Sequence, residues 1–129
     1  MQPPESAEIF TTPISEYWFV GDIMYVNSRP GQRPPLEIHK KQSEEFISQL
    51  KGRKLCAVID ISNASPTPAD HREYNQKVLP EIFKAIAFVT STALGKMLIN
   101  LYLGLKPITF PTKVFSNEKE ASDWVKQFT

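Results

Sequence analysis

The chain has 129 residues, enough for one domain with a layered core and too few for two ordinary ones. Hydrophobic residues make up 41% and charged residues 22%, which excludes a chain disordered throughout. Fifteen basic and 14 acidic residues leave a net charge of +1, so there is no basic field to attract nucleic acid and no acidic one to gather cations.

Residues 1–13 are polar and proline-containing, and are expected to form a flexible arm ahead of a single domain over 14–129. The arm has no basic segment followed by an apolar one, so no signal peptide is expected. No apolar run reaches the roughly 18–20 residues that span a bilayer. The longest, Met97 to Leu105, is interrupted by Asn100 and Gly104. The single cysteine, Cys56, cannot form an internal disulfide and sits in the apolar run Leu55-Cys56-Ala57-Val58-Ile59. It is expected to be a small buried core residue, since nothing nearby supplies the base or positive field of a reactive thiol. These features together predict a cytoplasmic protein.

Tyr17 to Val26 is aromatic and β-branched on either side of Gly21-Asp22, a turn pair, and predicts a β-hairpin. Ser28 to Pro35 holds three prolines and Gly31 and is a loop. Leu36 to Leu50 has a helical apolar stripe in Phe46, Ile47 and Leu50, and Gly52 is placed to end it. Leu55 to Ile61 is apolar on both strand faces, as in a central parallel strand. Ser62 to Pro68 is a loop. A helix is then expected from Thr67 as N-cap, with Pro68 in the first position and Asp70 completing a capping box. It should run to about Val78, where Pro80 must break or restart it.

Ala85 to Thr90 is another strand apolar on both faces. Thr92 can cap a helix over Ala93–Leu105, which Pro107 ends. Lys113 to Phe115 is a last short strand. Asn117, with Glu120 three residues on, caps a final helix whose Ala121, Trp124, Val125 and Phe128 share one face. The predicted class is α/β: a single, mainly parallel five-stranded sheet with an N-terminal antiparallel hairpin and four helices.

Several of these segments resemble a known family. Val58-Ile59-Asp60-Ile61-Ser62 leading into Thr67-Pro68-Ala69-Asp70 is similar to STAS-like (SpoIIAA-like) domains. The segments Ala87–Ser91, Gly95–Asn100, Leu103–Pro107, Phe110–Phe115 and Glu118–Trp124 look like a group of short bacterial STAS-like proteins. The resemblance covers roughly residues 14–128. It implies a β/α sheet with helices mostly on one face, and a domain that acts by docking to a protein partner, as in bacterial signalling or regulation. In anti-sigma antagonists of this family, a serine at the start of the helix after the Asp-containing strand is phosphorylated. The Asp-Ser-Ser-Gly signature of that site is absent here, so the switch is not carried over. Ser65 and Thr67 are the hydroxyls where such a modification would fall.

Parallel α/β sheets bind ligands at the carboxyl ends of their strands, beside helix N-termini. The residues so placed are Ser62, Ser65, Thr67 and Asp70 in one loop and Ser91 and Thr92 in another. They are expected to cap helices or to receive an anion or a partner's carboxylate. Asp60 is expected to bond its own loop. His39 and His71, lying among charged residues, are expected on the solvated surface. A Ser62–His71–Asp70 relay is disfavoured because neighbouring helical residues point apart.

No metal cluster, phosphate loop or cofactor motif is present in the sequence, and the expectation is a non-enzymatic domain. An enzyme would need Asp60, Asp70 or His71 to converge in a pocket with shifted pKa values. The helix over Ala93–Leu105 is apolar well beyond one stripe. Met97 and Tyr102 therefore suit a second contact: a homodimer seam, a partner surface or an apolar ligand pocket. Tyr17 and Trp18 belong to a hairpin with bulky groups on both faces. If helices cover only one face, a dimer would cover the other. The alternative to a protein partner is a small-molecule or lipid carrier, by analogy of fold.

Overall fold

The computed structural model describes residues 1–105 and 108–129, with side chains described for all of these except 98 and 101–105. Six strands form one sheet in the order of the chain: β1 (Phe10–Thr12), β2 (Ser15–Val20), β3 (Ile23–Ser28), β4 (Leu55–Asp60), β5 (Phe83–Val89) and β6 (Thr112–Phe115). The first three are antiparallel and the last four run parallel to one another. Four α-helices intervene: α1 (Leu36–Leu50), α2 (Ala69–Ile82), α3 (Ala93–Leu105) and α4 (Glu118–Val125).

The sheet has one strand more than the sequence predicts, and it comes from the segment read as an arm. Phe10–Thr12 pairs antiparallel with Ser15–Tyr17, and Met1 packs against the core while its carbonyl accepts a hydrogen bond from Asn27 Nδ2 at 2.8 Å. A three-residue strand is too short to leave an alternation pattern. The hairpin forms as expected: Val20 pairs with Ile23 across a two-residue turn in which Gly21 has φ 60°.

The position of the helices follows from the strand order. Strands β3 to β6 advance across the sheet in one direction, and right-handed crossovers advancing one way stack on one face. Residues of α1, α2 and α3 accordingly share a core with Leu55, Ala57, Ile86 and Phe88. The alternate residues Cys56, Val58, Ala85, Ala87 and Val89 face the other side, where no crossover passes. There α4 folds back, placing Ala121 and Val125 against them with no exposed surface. Small side chains at Cys56, Ala85, Ala87 and Ala121 let this helix lie close to the sheet.

Trp18 belongs to this second core and is 1% exposed. Its indole stacks on Tyr25 at 5.9 Å, and the Tyr25 hydroxyl meets Ser122 Oγ at 3.2 Å. The expectation of Trp18 as a partner or dimer contact is therefore corrected: it is buried within the chain's own second core, against which Met1 and Ala7 of the N-terminal segment also pack. Cys56 is fully buried as expected, and burial pushes its thiol pKa up.

Local signals succeed at two helix starts. Asn117 Oδ1 accepts from Glu120 N–H at 2.9 Å, and Thr92 Oγ1 accepts from Gly95 N–H at 3.0 Å. They fail at α2, where Pro68 is the N-cap residue and makes no side-chain cap. Pro80 does not break that helix, which continues to Ile82. Pro80 sits in the last turn, where a missing N–H removes a single helical bond, and Phe83 N–H still reaches Leu79 O.

Truncating Trp18 to Ala should lower stability by about 3–5 kcal/mol through the cavity left in the second core. Urea denaturation followed by far-UV circular dichroism measures this. A loss below ~1 kcal/mol would contradict the packing described.

Candidate functional site

Because β3 and β4 are adjacent and parallel, the loops that follow them leave the sheet at the same end. The first carries Gly31 to Pro35 and the second Ser62 to Pro68. The two loops and the start of α2 enclose an open groove of about 610 Å³. Its walls are mostly Pro34, Pro35, Pro66, Pro68 and Leu36, and its polar groups are supplied chiefly by Arg33, Asp70 and His71. Gly31 is required by a close approach: a Cβ there would collide with the Pro13 carbonyl.

Two guanidinium groups hold the second loop in shape. Arg33 Nη2 donates to Ser65 O at 3.0 Å and to Thr67 Oγ1 at 3.2 Å. Arg72 Nη1 donates to Thr67 O at 3.0 Å. The Thr67 hydroxyl thus serves Arg33 instead of capping α2, which corrects the capping box expected there. Asp70 does not cap from afar either; its Oδ1 accepts from the backbone N–H of His71 at 2.8 Å.

The histidines depart furthest from expectation. His71 is 8% exposed, not solvated. Its Nδ1 lies 3.0 Å from Asp70 Oδ1 and its Nε2 lies 3.1 Å from Pro34 O. Both partners are acceptors, so only the doubly protonated ring donates to both. The ring stacks on His39 at 5.6 Å, and His39 Nε2 meets Asn75 Oδ1 at 3.1 Å. Tyr74 stands edge-on to His39 at 5.4 Å, with Lys40 Nζ above its ring. The hydrogen bonds from His71 hold the Asp70 carboxyl below the usual carboxylate range. Asp70 and His71 therefore do meet, contrary to the geometric expectation. Yet the ring nitrogen a serine would need is directed at Pro34 O, and no relay is assembled.

Of the residues marked in the sequence, Ser65 and Asp70 line the groove and Thr67 shapes it through Arg33. Ser62 is exposed beside it, its N–H bonded to Asp60 Oδ1 at 2.9 Å, as expected for Asp60. Ser91 is exposed outside the groove lining, and Thr92 is engaged in capping α3 beside the buried Thr90. Met97 is exposed on α3, together with Leu94. Tyr102 lies on the same helix, and its side chain falls outside those described. Tyr17 is half-buried in an aromatic cluster with Phe10 and Phe19 near the β1 edge.

Sequence reasoning missed Arg33 and Arg72. The available signal was topological: two proline-framed loops following adjacent parallel strands must meet, and a charged residue between them acquires partners there. Among the described residues, no group of three or more His, Cys, Asp or Glu side chains is placed to hold a metal ion. No described helix is long and apolar enough to cross a membrane.

The sheet order, the crossovers on one face and the groove at the strand ends define a SpoIIAA-like α/β fold. A crystal structure of an uncharacterised protein of the DUF3478 family from Shewanella loihica PV-4, described as SpoIIAA-like, matches it with a TM-score of 0.52. The match is 16% identical and covers 97% of this chain and 98% of that one. The chain belongs to the DUF7793 family, a domain of unknown function, whose model matches residues 17–129. No curated protein matches the sequence.

A carboxyl group whose pKa is depressed by folding stabilises the fold above its unfolded pKa, and that contribution is lost as pH falls through its folded value. Asp70→Asn should therefore lower the urea midpoint near pH 5, with the gap to wild type closing as the pH drops to about 2. A carbon-detected carboxyl titration should show the Asp70 pKa rising toward the usual range in His71→Gln. An unchanged value would remove His71 as the cause.

Proposed function

We propose that this domain is a non-enzymatic binding module that docks a protein partner at the groove between the Gly31–Pro35 and Ser62–Pro68 loops. The carrying observation is the groove's construction. It is open rather than enclosed, walled by prolines, and held by hydrogen bonds that need no ligand. Such a preformed concavity loses little conformational entropy when a protruding segment enters it. The groups that could serve chemistry point elsewhere. Asp60 bonds its own loop, and His71 is closed off by Asp70 and Pro34. A docking role is also what the family resemblance implies, and a cytoplasmic regulatory setting accords with it.

A second surface favours self-association. Leu94 and Met97, one helical turn apart on α3, are 61% and 59% exposed. Two copies meeting through α3 would cover them, and this replaces the dimer through Trp18 that the sequence suggested. An apolar ligand is the alternative occupant of that face.

A photo-crosslinking amino acid at Gln32, on the groove wall, should trap one discrete protein in the native host, identifiable by mass spectrometry. The same group at Lys119 on α4 should not. Equal labelling from both positions, or none from Gln32, would contradict docking at the groove. Sedimentation equilibrium across micromolar concentrations should show a dimer that Leu94→Gln with Met97→Gln dissociates. A monomer throughout would remove the α3 seam.

A further inference from the structure

The charge on Arg33 is not balanced by the protein. The residue is half-buried, and among the described residues no carboxylate lies within ion-pair distance of its guanidinium. Its Nη2 is fixed by two neutral acceptors, Ser65 O and Thr67 Oγ1. Among the described residues, its buried Nε has no partner and neither has Nη1. Desolvation pulls its pKa down, as expected of a cation taken from water without a counter-ion. Arg72, gripping the same loop through Thr67 O, also has no ion pair among the described residues.

Asp70 shares the groove and does not neutralise Arg33. Its Oδ1 already accepts from the backbone and ring of His71. Within the loop itself Pro66 and Pro68 have no N–H to give, and α2 begins only at Ala69. The cationic donor facing an incoming group is the guanidinium. Both hydrogens of Nη2 are spent on Ser65 and Thr67 and Nε is buried, so a carboxylate would be met through Nη1, by charge-assisted hydrogen bonding from a guanidinium that the loop holds still.

Resting on the docking role proposed above, we infer that Arg33 receives a carboxylate carried by the partner on an otherwise apolar segment. Among the residues that line the groove, Arg33 is the cation without a carboxylate partner, and one such charge calls for one negative charge. The proline and Leu36 walls suit hydrocarbon beside that carboxylate better than the hydration shell of a doubly charged phosphate.

The test uses sodium hexanoate, hexanamide and methyl phosphate as probes on the full chain, read by amide and Arg Nε–Hε nuclear magnetic resonance. Hexanoate should shift Arg33 Nε–Hε and the amides of 31–33 and 65–71 saturably, with a Kd on the order of 1–10 mM. Hexanamide and methyl phosphate should bind at least about tenfold more weakly. Arg33→Gln should abolish the hexanoate response. Arg33→Lys keeps the charge without the guanidinium that Ser65 and Thr67 hold in place and should retain only part of it; the amide spectrum of each variant reports its folding. If Arg33→Gln unfolds the chain, the comparison of hexanoate with hexanamide on the wild type decides alone. Equal response to hexanoate and hexanamide would overturn the charge reading while leaving the groove as a docking site. A stronger response to methyl phosphate would replace the carboxylate with a phosphate. No saturable shift in the groove would overturn the inference outright, whereas failure of Gln32 crosslinking alone would strike the docking role instead.

Discussion

Strands β3 to β6 follow one another across the sheet without reversal, and most of the molecule is a consequence of that order. Right-handed crossovers that advance one way have to stack on a single face, so α1, α2 and α3 share a core against Leu55, Ala57, Ile86 and Phe88. The opposite face is left with Trp18, Tyr25, Cys56, Val58 and Val89 and no crossover to bury them. Burying an indole against a helix is worth several kcal/mol, a large share of a small domain's net stability. The last helix, α4, resolves that deficit. The same order sets the loops after β3 and β4 side by side and so creates the groove.

Much of this architecture was legible because it rests on local patterns. The hairpin at Gly21-Asp22, the caps at Asn117 and Thr92 and the stripe Ala121, Trp124, Val125 all involve residues a few positions apart. Three of the errors share a different origin. Thr67 is as good a capping residue as Thr92, but Arg33, 34 positions earlier, takes its hydroxyl. His71 lies among charged neighbours, and it is Pro34, 37 positions earlier, that closes over it. Trp18 needs cover, and it is buried in a core that gathers Ala121 and Val125 from α4 and Met1 and Ala7 from the N-terminal segment, all distant from it in the chain or outside the predicted domain. Each misreading concerns which distant segment competes for a group whose local chemistry was read correctly.

The candidate site was half legible for the same reason. Its location at the strand ends, and the inclusion of Ser65 and Asp70, follow from the general behaviour of parallel sheets. Its donor does not. A helix N-terminus is the usual source of positive potential in such a crevice, but here the first turn of α2 carries Asp70, whose carboxylate takes the His71 N–H. The positive charge is delivered instead by side chains, Arg33 and Arg72, both drawn in by backbone oxygens of the loop they hold. The result is rigid on both walls, with Gly31 tight against Pro13 on one side and two guanidinium clamps on the other.

The placement of α4 also makes one face of the sheet depend on a single short helix. The hydrogen bond between Tyr25 and Ser122 joins residues 97 positions apart, so the hairpin and α4 are tied across most of the domain. Closing so long a loop is slow compared with forming local contacts. A chain in which α4 comes away would leave Cys56, Val58 and Val89 on an open apolar face, the kind of surface on which aggregates begin.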